Sequence, residues 1–255
     1  MAAQSDGRMP ITGSVAVITG GTTGIGAATR DLLRRRGARV YNLDVRHDGC
    51  PGDFFISCDV TDPESVSAAI AEVVDREGRI DCLFANAGIH RFANLEETSV
   101  EEFESVLSVN LKGVFYTLKA VIPVMKVQMR GAILLMGSDQ TLVGKGRSSV
   151  YGLTKAAIGQ LAKSTAIDYA SFNIRVNCLC PGTTDTPLLD NAVARYSELS
   201  GIQQDEIRTE LDRAQPIARI ARSDEIAQVA CFLLSEESSY MTGALVAADG
   251  GYTAG

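Results

Sequence analysis

Tyr151 and Lys155 stand four residues apart in VYGLTKAAIGQLAK, a run whose apolar residues recur at helical intervals. The two side chains therefore share one helix face, one turn apart. A free phenol titrates at about 10, too high for a base at neutrality, and a nearby ammonium stabilises the phenolate and lowers that value. Such a pair can accept the proton of an alcohol. Ser138 lies thirteen positions before Tyr151, at the end of the apolar run AILLMGS. It could orient an oxygen and stabilise its developing charge, and it reads equally as a serine capping the turn that ends a strand. A Tyr-x-x-x-Lys pair alone is a weak signal, so its placement decides.

A second candidate is VAVITGGTTGIGAAT, Val15 to Thr29. Val15, Val17 and Ile18 read as a short buried strand, and Ile25, Ala28, Leu32 and Leu33 repeat at helical spacing up to Gly37. Gly20, Gly21, Gly24 and Gly26 fall in the strand-to-helix turn. In a parallel sheet, ligands collect beyond the carboxyl ends of strands, and the free N–H groups of a helix start favour anions. Glycine lets backbone approach a pyrophosphate where a Cβ would collide. The turn suits a dinucleotide, or it is a tight turn packed for its own sake. Asp44, ending the apolar run ARVYNLDV, favours the first reading: a carboxylate there accepts hydrogen bonds from the adenosine ribose diol and meets a 2'-phosphate unfavourably. NAD is therefore expected over NADP, with Arg46, two residues on, keeping NADP open.

The elements that must position these residues alternate along the chain. ARVYNLDV and DFFISCDV read as the second and third strands, and DPESVSAAIAEVVDREG as a helix with Asp62 as N-cap before Pro63. DCLFANAG is a fourth strand, a long helix covers much of Val100 to Met129, and AILLMGS is a fifth strand. The Tyr151 helix follows, then the strand IRVNCLCPG, the helix SDEIAQVACFLLS and a seventh strand ALVAADGG. This order implies an α/β fold, a Rossmann-type doubly wound parallel sheet of seven strands with helices on both faces, as one domain over residues 1–255. VRHDGCPG is too short for a crossover helix between strands two and three, so a loop is expected there. The polar, helix-prone stretch between Pro187 and Pro216 is a candidate lid over residues 187–216.

Composition sets the outer bounds. The 255 residues are 45% hydrophobic and 22% charged, and 24 Lys and Arg against 31 Asp and Glu give a net charge of -7. This gives no electrostatic case for nucleic acid or an anionic membrane. Cys50, Cys58, Cys82, Cys178, Cys180 and Cys231 are scattered through mostly apolar runs, and with only His47 and His90 beside them they match no zinc spacing. No metal is expected; free thiols and a cytoplasmic location are. MAAQSDGRMPITG has no secretory apolar core, so residues 1–12 read as a flexible arm, and no apolar run approaches membrane-spanning length.

The spacing Thr19-Gly20-x-x-x-Gly24-Ile25-Gly26 differs from Gly-x-Gly-x-x-Gly and resembles the cofactor turn of the short-chain dehydrogenase/reductase family, in its single-domain subgroup. Asp59-Val60, Asn86-Ala87-Gly88, Asn110, Ser138, Tyr151-x-x-x-Lys155 and Pro181-Gly182 with Thr186 match in order, and the likeness covers Ser14 to Tyr252. The resemblance implies cofactor contacts from Gly20, Thr23, Gly24, Ile25, Asp44, Asp59, Val60, Asn86, Ala87, Gly88, Tyr151, Lys155, Pro181, Gly182, Thr184 and Thr186. It implies catalysis by Asn110, Ser138, Tyr151 and Lys155, with Lys155 bonding the nicotinamide ribose and Asn110 holding a water that relays the proton from Tyr151. Hydride would then pass between the carbinol carbon and nicotinamide. A homotetramer is implied too, through the two long helices around Asn110 and Tyr151 and the C-terminal segment. Two departures are Ala85, where a further asparagine is frequent, and the short second crossover, which would open the adenine side.

IRVNCLCPGTTDTPLL is similar to the branch holding cytosolic hydroxybutyrate and 2-keto-3-deoxy-sugar-acid dehydrogenases, which implies a small hydroxy acid or deoxy sugar acid as substrate. His90, Gln140 and Arg147 are the substrate-side candidates, Arg147 because a guanidinium can grip a carboxylate with two hydrogen bonds. Three other readings stand beside this one. An NADP-dependent carbonyl reductase for another substrate class would keep the motifs. A sugar-nucleotide epimerase or dehydratase would space its glycine turn differently and add a larger C-terminal domain. A noncatalytic NAD-binding sensor would have no use for Ser138, Tyr151 and Lys155 together.

Overall fold

Three runs with no polar interruption form the centre of the sheet: β1 (Val15–Thr19), β4 (Cys82–Ala85) and β5 (Gly131–Met136) are buried at every position. Strands covered on both faces read as continuous apolar runs, as expected for a parallel sheet. The structure is a computed structural model and describes residues 11–47, 49 and 54–255. Most of the expected arm, residues 1–10, lies outside the described residues, as do 48 and 50–53 of the short second crossover. Thr12, the end of that arm, is tied to the body by its hydroxyl, which donates to the Arg36 carbonyl at 2.9 Å.

The elements follow as β1, α1 (Gly24–Arg35), β2 (Arg39–Asp44), β3 (Phe54–Ser57), α2 (Pro63–Glu77), β4, α3 (Val100–Leu107), a π turn (Ser108–Lys112), α4 (Gly113–Gln128) and β5. Then come α5 (Ser149–Tyr169), β6 (Ile174–Pro181), β7 (Thr184–Asp185), α6 (Pro187–Ser200), α7 (Gln204–Ala214), β8 (Ala221–Arg222), α8 (Ser223–Leu234) and β9 (Leu245–Ala248). The seven-stranded sheet has the order β3-β2-β1-β4-β5-β6-β9, and every pair in it is parallel. Alternation divides the core. Val15 and Val17 pack with α2, α4 and α5 residues such as Ile70, Leu118 and Ile158. Ala16 and Ile18 pack on the other face with Leu33 of α1 and Ile226 and Ala230 of α8. Strand order reverses between β1 and β4, which opens a crevice at their carboxyl ends.

Local chemistry sets several boundaries. Asp62 accepts from the Glu64 amide at 3.0 Å to start α2, with Pro63 in the first turn, and Gly78 at φ 70° ends it. The long helix expected from Val100 to Met129 does form, but it carries a π turn at Asn110 that its apolar pattern does not announce. Within Val100–Gln128 an 18-residue window is apolar enough, and the helix long enough, to pass for a membrane span on length and composition. The expectation that no such run exists is corrected accordingly. Val114, Leu118, Val121 and Met125 of that helix nonetheless belong to the core beneath the sheet. The polar stretch after Pro187 becomes α6 and α7, and its ends meet in a small parallel pair, Thr184 with Ala221 and Asp185 with Arg222.

Candidate active site

The glycine turn is held from three sides. Gly20 takes φ 67°, and a Cβ there would lie 2.8 Å from Ala87 Cα. A Cβ at Gly26 would meet the Gly20 carbonyl oxygen at 2.2 Å and Asn86 Nδ2 at 2.6 Å, so only glycine lets α1 start this close to the turn. Asn86 Nδ2 donates to the Thr19 and Gly20 carbonyls at 3.1 and 2.8 Å, pinning the end of β4 to the turn. Asn42, wholly buried in β2, accepts from the Gly21 amide at 3.0 Å and donates to Thr22 Oγ1 at 3.1 Å. Sequence reasoning missed Asn42. The available signal was one amide in the middle of the otherwise apolar run VYNL.

Thr23 precedes α1 without a side-chain cap, and the first turn carries no acidic residue. The first-turn N–H groups are thus left for an anion from the cleft. Asp44 accepts from the Thr22 and Arg46 amides, both at 3.2 Å, at the rim of the same crevice. The cleft encloses about 420 Å³ and is lined by Gly20, Thr23, Gly24, Ile25, Asp44, Asp59, Val60, Asn86, Ala87, Gly88, Pro181, Gly182, Thr184 and Thr186. Asp59 accepts from the Thr61 amide and hydroxyl at 2.9 and 2.8 Å, and a Cβ at Gly182 would lie 2.7 Å from Asp249 Cα. Thr186 caps α6 by accepting from the Leu189 amide at 3.3 Å and packs on Gly24. These residues fit a dinucleotide: a cradle that a Cβ would fill, an uncapped helix start and a rim carboxylate.

At the other end of the cleft stand Ser138, Gln140, His90, Tyr151 and Lys155. Ser138 caps the short turn that follows β5, and Lys155 is buried one turn along α5 from Tyr151. Lys155 Nζ donates to the Met136 carbonyl at 2.7 Å and lies 5.4 Å from the centre of the Tyr151 ring. The expected lowering of the Tyr151 phenol by that ammonium is not what this geometry gives. Burial pushes the phenol above its ordinary range, the Ser138 hydrogen bond offsets part of this and the Asp139 charge adds to it. Burial also brings Lys155 down to about 8. The ammonium faces a carbonyl, and both groups are short of water.

Asn110 does not line the cleft. Its Oδ1 accepts from the Ile89 amide at 2.8 Å, and its Nδ2 donates to the Ile89 carbonyl at 2.9 Å and Thr154 Oγ1 at 3.2 Å. It braces the segment after β4 against α5 from within the π turn. Gly88 lies between: a Cβ there would be 3.4 Å from Asn110 Oδ1 and 3.8 Å from Lys155 Nζ.

The three substrate-side candidates separate. His90 meets the Tyr151 ring edge-on at 4.7 Å and shares a hydrogen bond with Ser148 Oγ at 3.0 Å. Burial, then Arg91, Lys145 and Lys155, push it down to about 4, so it is neutral at physiological pH. Gln140 borders the cleft with its Oε1 buried and without a partner among the described residues. Arg147 is not in the cleft wall: it pairs with Glu97 at 2.6 Å and lies over the Phe92 ring at 5.5 Å. The expectation that its guanidinium faces the substrate space is corrected, because the segment between β4 and α3 supplies it with an acid and an aromatic face. Lys145, which sequence reasoning passed over, is a second cation beside Lys155 at this end of the cleft wall, paired with Asp139 at 2.6 Å. No periodic pattern marks a loop residue of that kind.

Residues 19–253 match the family model described as enoyl-(acyl carrier protein) reductase. Oxidoreductase UcpA of Escherichia coli strain K12 is 37% identical over 257 residues, covering 95% of each chain. The cis-4-hydroxycyclohexanecarboxylate dehydrogenase of Sinomonas cyclohexanicum is 38% identical, covering 94% of this chain and 96% of that one. The solved aldohexose dehydrogenase of Thermoplasma acidophilum superposes with a TM-score of 0.91 at 32% identity, over 98% of this chain and 97% of its own. The chain belongs to the short-chain dehydrogenase/reductase family, oxidoreductases that use a nicotinamide cofactor.

Proposed function

We propose that this protein is an NAD-dependent dehydrogenase acting on the CH–OH group of a secondary alcohol, with a small hydroxy acid or deoxy sugar acid as its substrate. The observation that carries the reading is one cleft that has the glycine cradle and Asp44 at one end and Ser138, Tyr151 and Lys155 at the other. When bound, the nicotinamide supplies the hydride acceptor or donor. Gly20, Thr23, Gly24 and Ile25 hold the pyrophosphate, Asp44 the adenosine ribose diol, and Asp59 and Val60 border the adenine. Asn86, Ala87, Gly88, Pro181, Gly182, Thr184 and Thr186 line the remaining walls, and Lys155 bonds the nicotinamide ribose.

Tyr151 exchanges the proton at the reacting oxygen. Its burial keeps the phenol protonated, ready to donate to a ketone oxygen, and alcohol oxidation requires that proton to leave first. Ser138 orients the same oxygen. The relay water belongs at Asn110. With both amide atoms engaged, what this residue offers is the backbone that the π turn at Ser108–Lys112 opens.

A hydroxy acid is supported by the relative named for cis-4-hydroxycyclohexanecarboxylate, and Gln140 Oε1 in the cleft wall offers an acceptor to a substrate hydroxyl. Residues 187–216 act as the lid: Leu188, Leu189 and Ala192 of α6 already border the cleft, and the β7–β8 pair closes the segment at its base. Residues 1–255 form one domain in this reading, cytoplasmic and homotetrameric. Exposed Phe115 and the groove it forms with Leu111 of the π turn, Tyr116 of α4 and Leu161 of α5 support the assembly. The test is a panel of hydroxy acids, sugars and secondary alcohols with NAD and with NADP, followed by nicotinamide absorbance. Reduction of NAD by a hydroxy acid is expected. Tight NAD binding with no alcohol oxidised would turn the reading to a sensor.

A further inference from the structure

At its Tyr151 end the cleft is bordered by His90 from the segment after β4 and by Ala192 from the lid helix α6. Just beyond each stands an aromatic residue. Phe92 is next but one to His90, and Tyr196 follows Ala192 by one turn of α6, on the same helix face. The two rings pack with centres 4.7 Å apart and planes tilted by 50°. Two walls of the cleft therefore meet where they leave it. Each ring is held from behind. The Ala93 amide donates to the Arg147 carbonyl at 3.0 Å and Ala93 bridges to Ser148, which ties the Phe92 segment to the start of α5. Thr186 caps α6, and Arg208 of α7 pairs with Asp190 of α6. On another side Lys145 lies 4.2 Å from the centre of the Tyr252 ring, and the Ile217 amide donates to the Gly250 carbonyl at 3.2 Å, so the C-terminal segment joins the foot of the lid to the loop before α5.

We propose that Phe92 and Tyr196 form a clasp that sets the length of the substrate, so that the cleft takes a small free alcohol and refuses one carried on a long arm. The inference rests on the reading of the Tyr151 end as the place where the CH–OH group reacts. The cleft encloses about 420 Å³ and has to hold a dinucleotide as well as the substrate, so what remains beside Tyr151 suits a small molecule. An arm attached to the substrate has to leave between α6 and the segment after β4, because the glycine end belongs to the cofactor and the Lys145–Tyr252 contact covers the other side. The two rings stand across that exit. An aromatic pair of this kind holds by mutual contact, so loss of either ring undoes it.

The test compares the methyl and pantetheine thioesters of one hydroxy acid, which share the carbinol and the lack of charge and differ in the length of the tail. The readout is the ratio of kcat/KM for the pantetheine thioester to that for the methyl thioester, with NAD. Phe92→Ala and Tyr196→Ala are each expected to raise this ratio at least about tenfold, and the double variant no further, since both substitutions remove one contact. Tyr196→Phe and Tyr252→Ala leave it near wild type. A wild type that uses both thioesters equally, alanine variants with the wild-type ratio, or a rise in Tyr252→Ala alone overturns the proposal. If Phe92→Ala does not fold, Tyr196→Ala carries the test. The chain has no tryptophan, so Tyr196→Trp supplies a single fluorescent reporter of the clasp. Adding Phe92→Ala is expected to raise its quenching by acrylamide about twofold, and equal quenching overturns the proposal. Quenching needs no substrate, so failure of the clasp is distinct from failure of the dehydrogenase reading, which shows as no alcohol oxidised.

Discussion

The two ends of the cleft are built from different materials. At the glycine end the wall itself is backbone: Gly20, Gly24 and Gly26 bring β1, α1 and the end of β4 within contact, and Asn42 and Asn86 fasten the turn from behind with side-chain amides. At the tyrosine end the wall is side chain held by side chain: Ser138 on Asp139, Asp139 on Lys145, His90 on Tyr151 and Ser148. A backbone wall fixes what every bound dinucleotide shares. A side-chain wall can be changed one residue at a time without moving the sheet, and substrate choice belongs there.

That contrast can be broken at either end. Gly26→Ala places a Cβ where the Gly20 carbonyl and Asn86 amide already stand. We expect NADH affinity to fall about 100-fold or more in a fluorescence titration while the fold persists by circular dichroism, because the uncapped helix start is pushed out of register with the turn. Unchanged affinity would mean that the cradle does not hold the pyrophosphate. Asp44→Ala should narrow the preference for NAD over NADP by about tenfold in kcat/KM, one lost charge interaction at the rim. Equal use of both cofactors by the wild type would point to Arg46 instead.

The tyrosine end gives smaller effects. An unfolded histidine titrates at about 6.5 and native His90 at about 4, so in that window the unfolded chain binds a proton that the native chain refuses. The His90 contribution is complete above about 6.5 and is lost as pH falls toward about 4. Urea midpoints at about pH 7 and about pH 5 should differ less in His90→Gln than in the wild type. An identical difference in both proteins would show that the ring is not held neutral. Arg147→Ala, which removes a partly exposed pair with Glu97, should change KM for a hydroxy acid by less than about twofold. A large rise specific to the acid would bring the guanidinium back into the site.

Legibility divides along the same line. The strands are apolar runs and the helices periodic, so the seven-stranded sheet could be read from composition and spacing, as could the Asp62 cap of α2. The glycine turn was legible because backbone demands glycine wherever it must crowd. Asn42 was not, since one polar residue in a buried strand has several uses and its partner is a turn twenty residues earlier. The π turn at Asn110 left no mark, as the apolar pattern runs through it. Arg147 was expected in the cleft and Lys145 overlooked for one reason: a loop has no period, and which side chain turns inward depends on the acid each one meets, Glu97 outside and Asp139 inside.

The central claim is hydride transfer between a carbinol carbon and nicotinamide, governed by Tyr151. It is tested most directly with a secondary alcohol that the protein oxidises, deuterated at its carbinol carbon, and NAD, by mass spectrometry of the reduced cofactor. The account predicts one deuterium on each NADH formed by the wild type, and a rate at least about 100-fold lower in Tyr151→Phe at equal cofactor occupancy. NADH without deuterium, or a Tyr151→Phe variant as fast as the wild type, would contradict it.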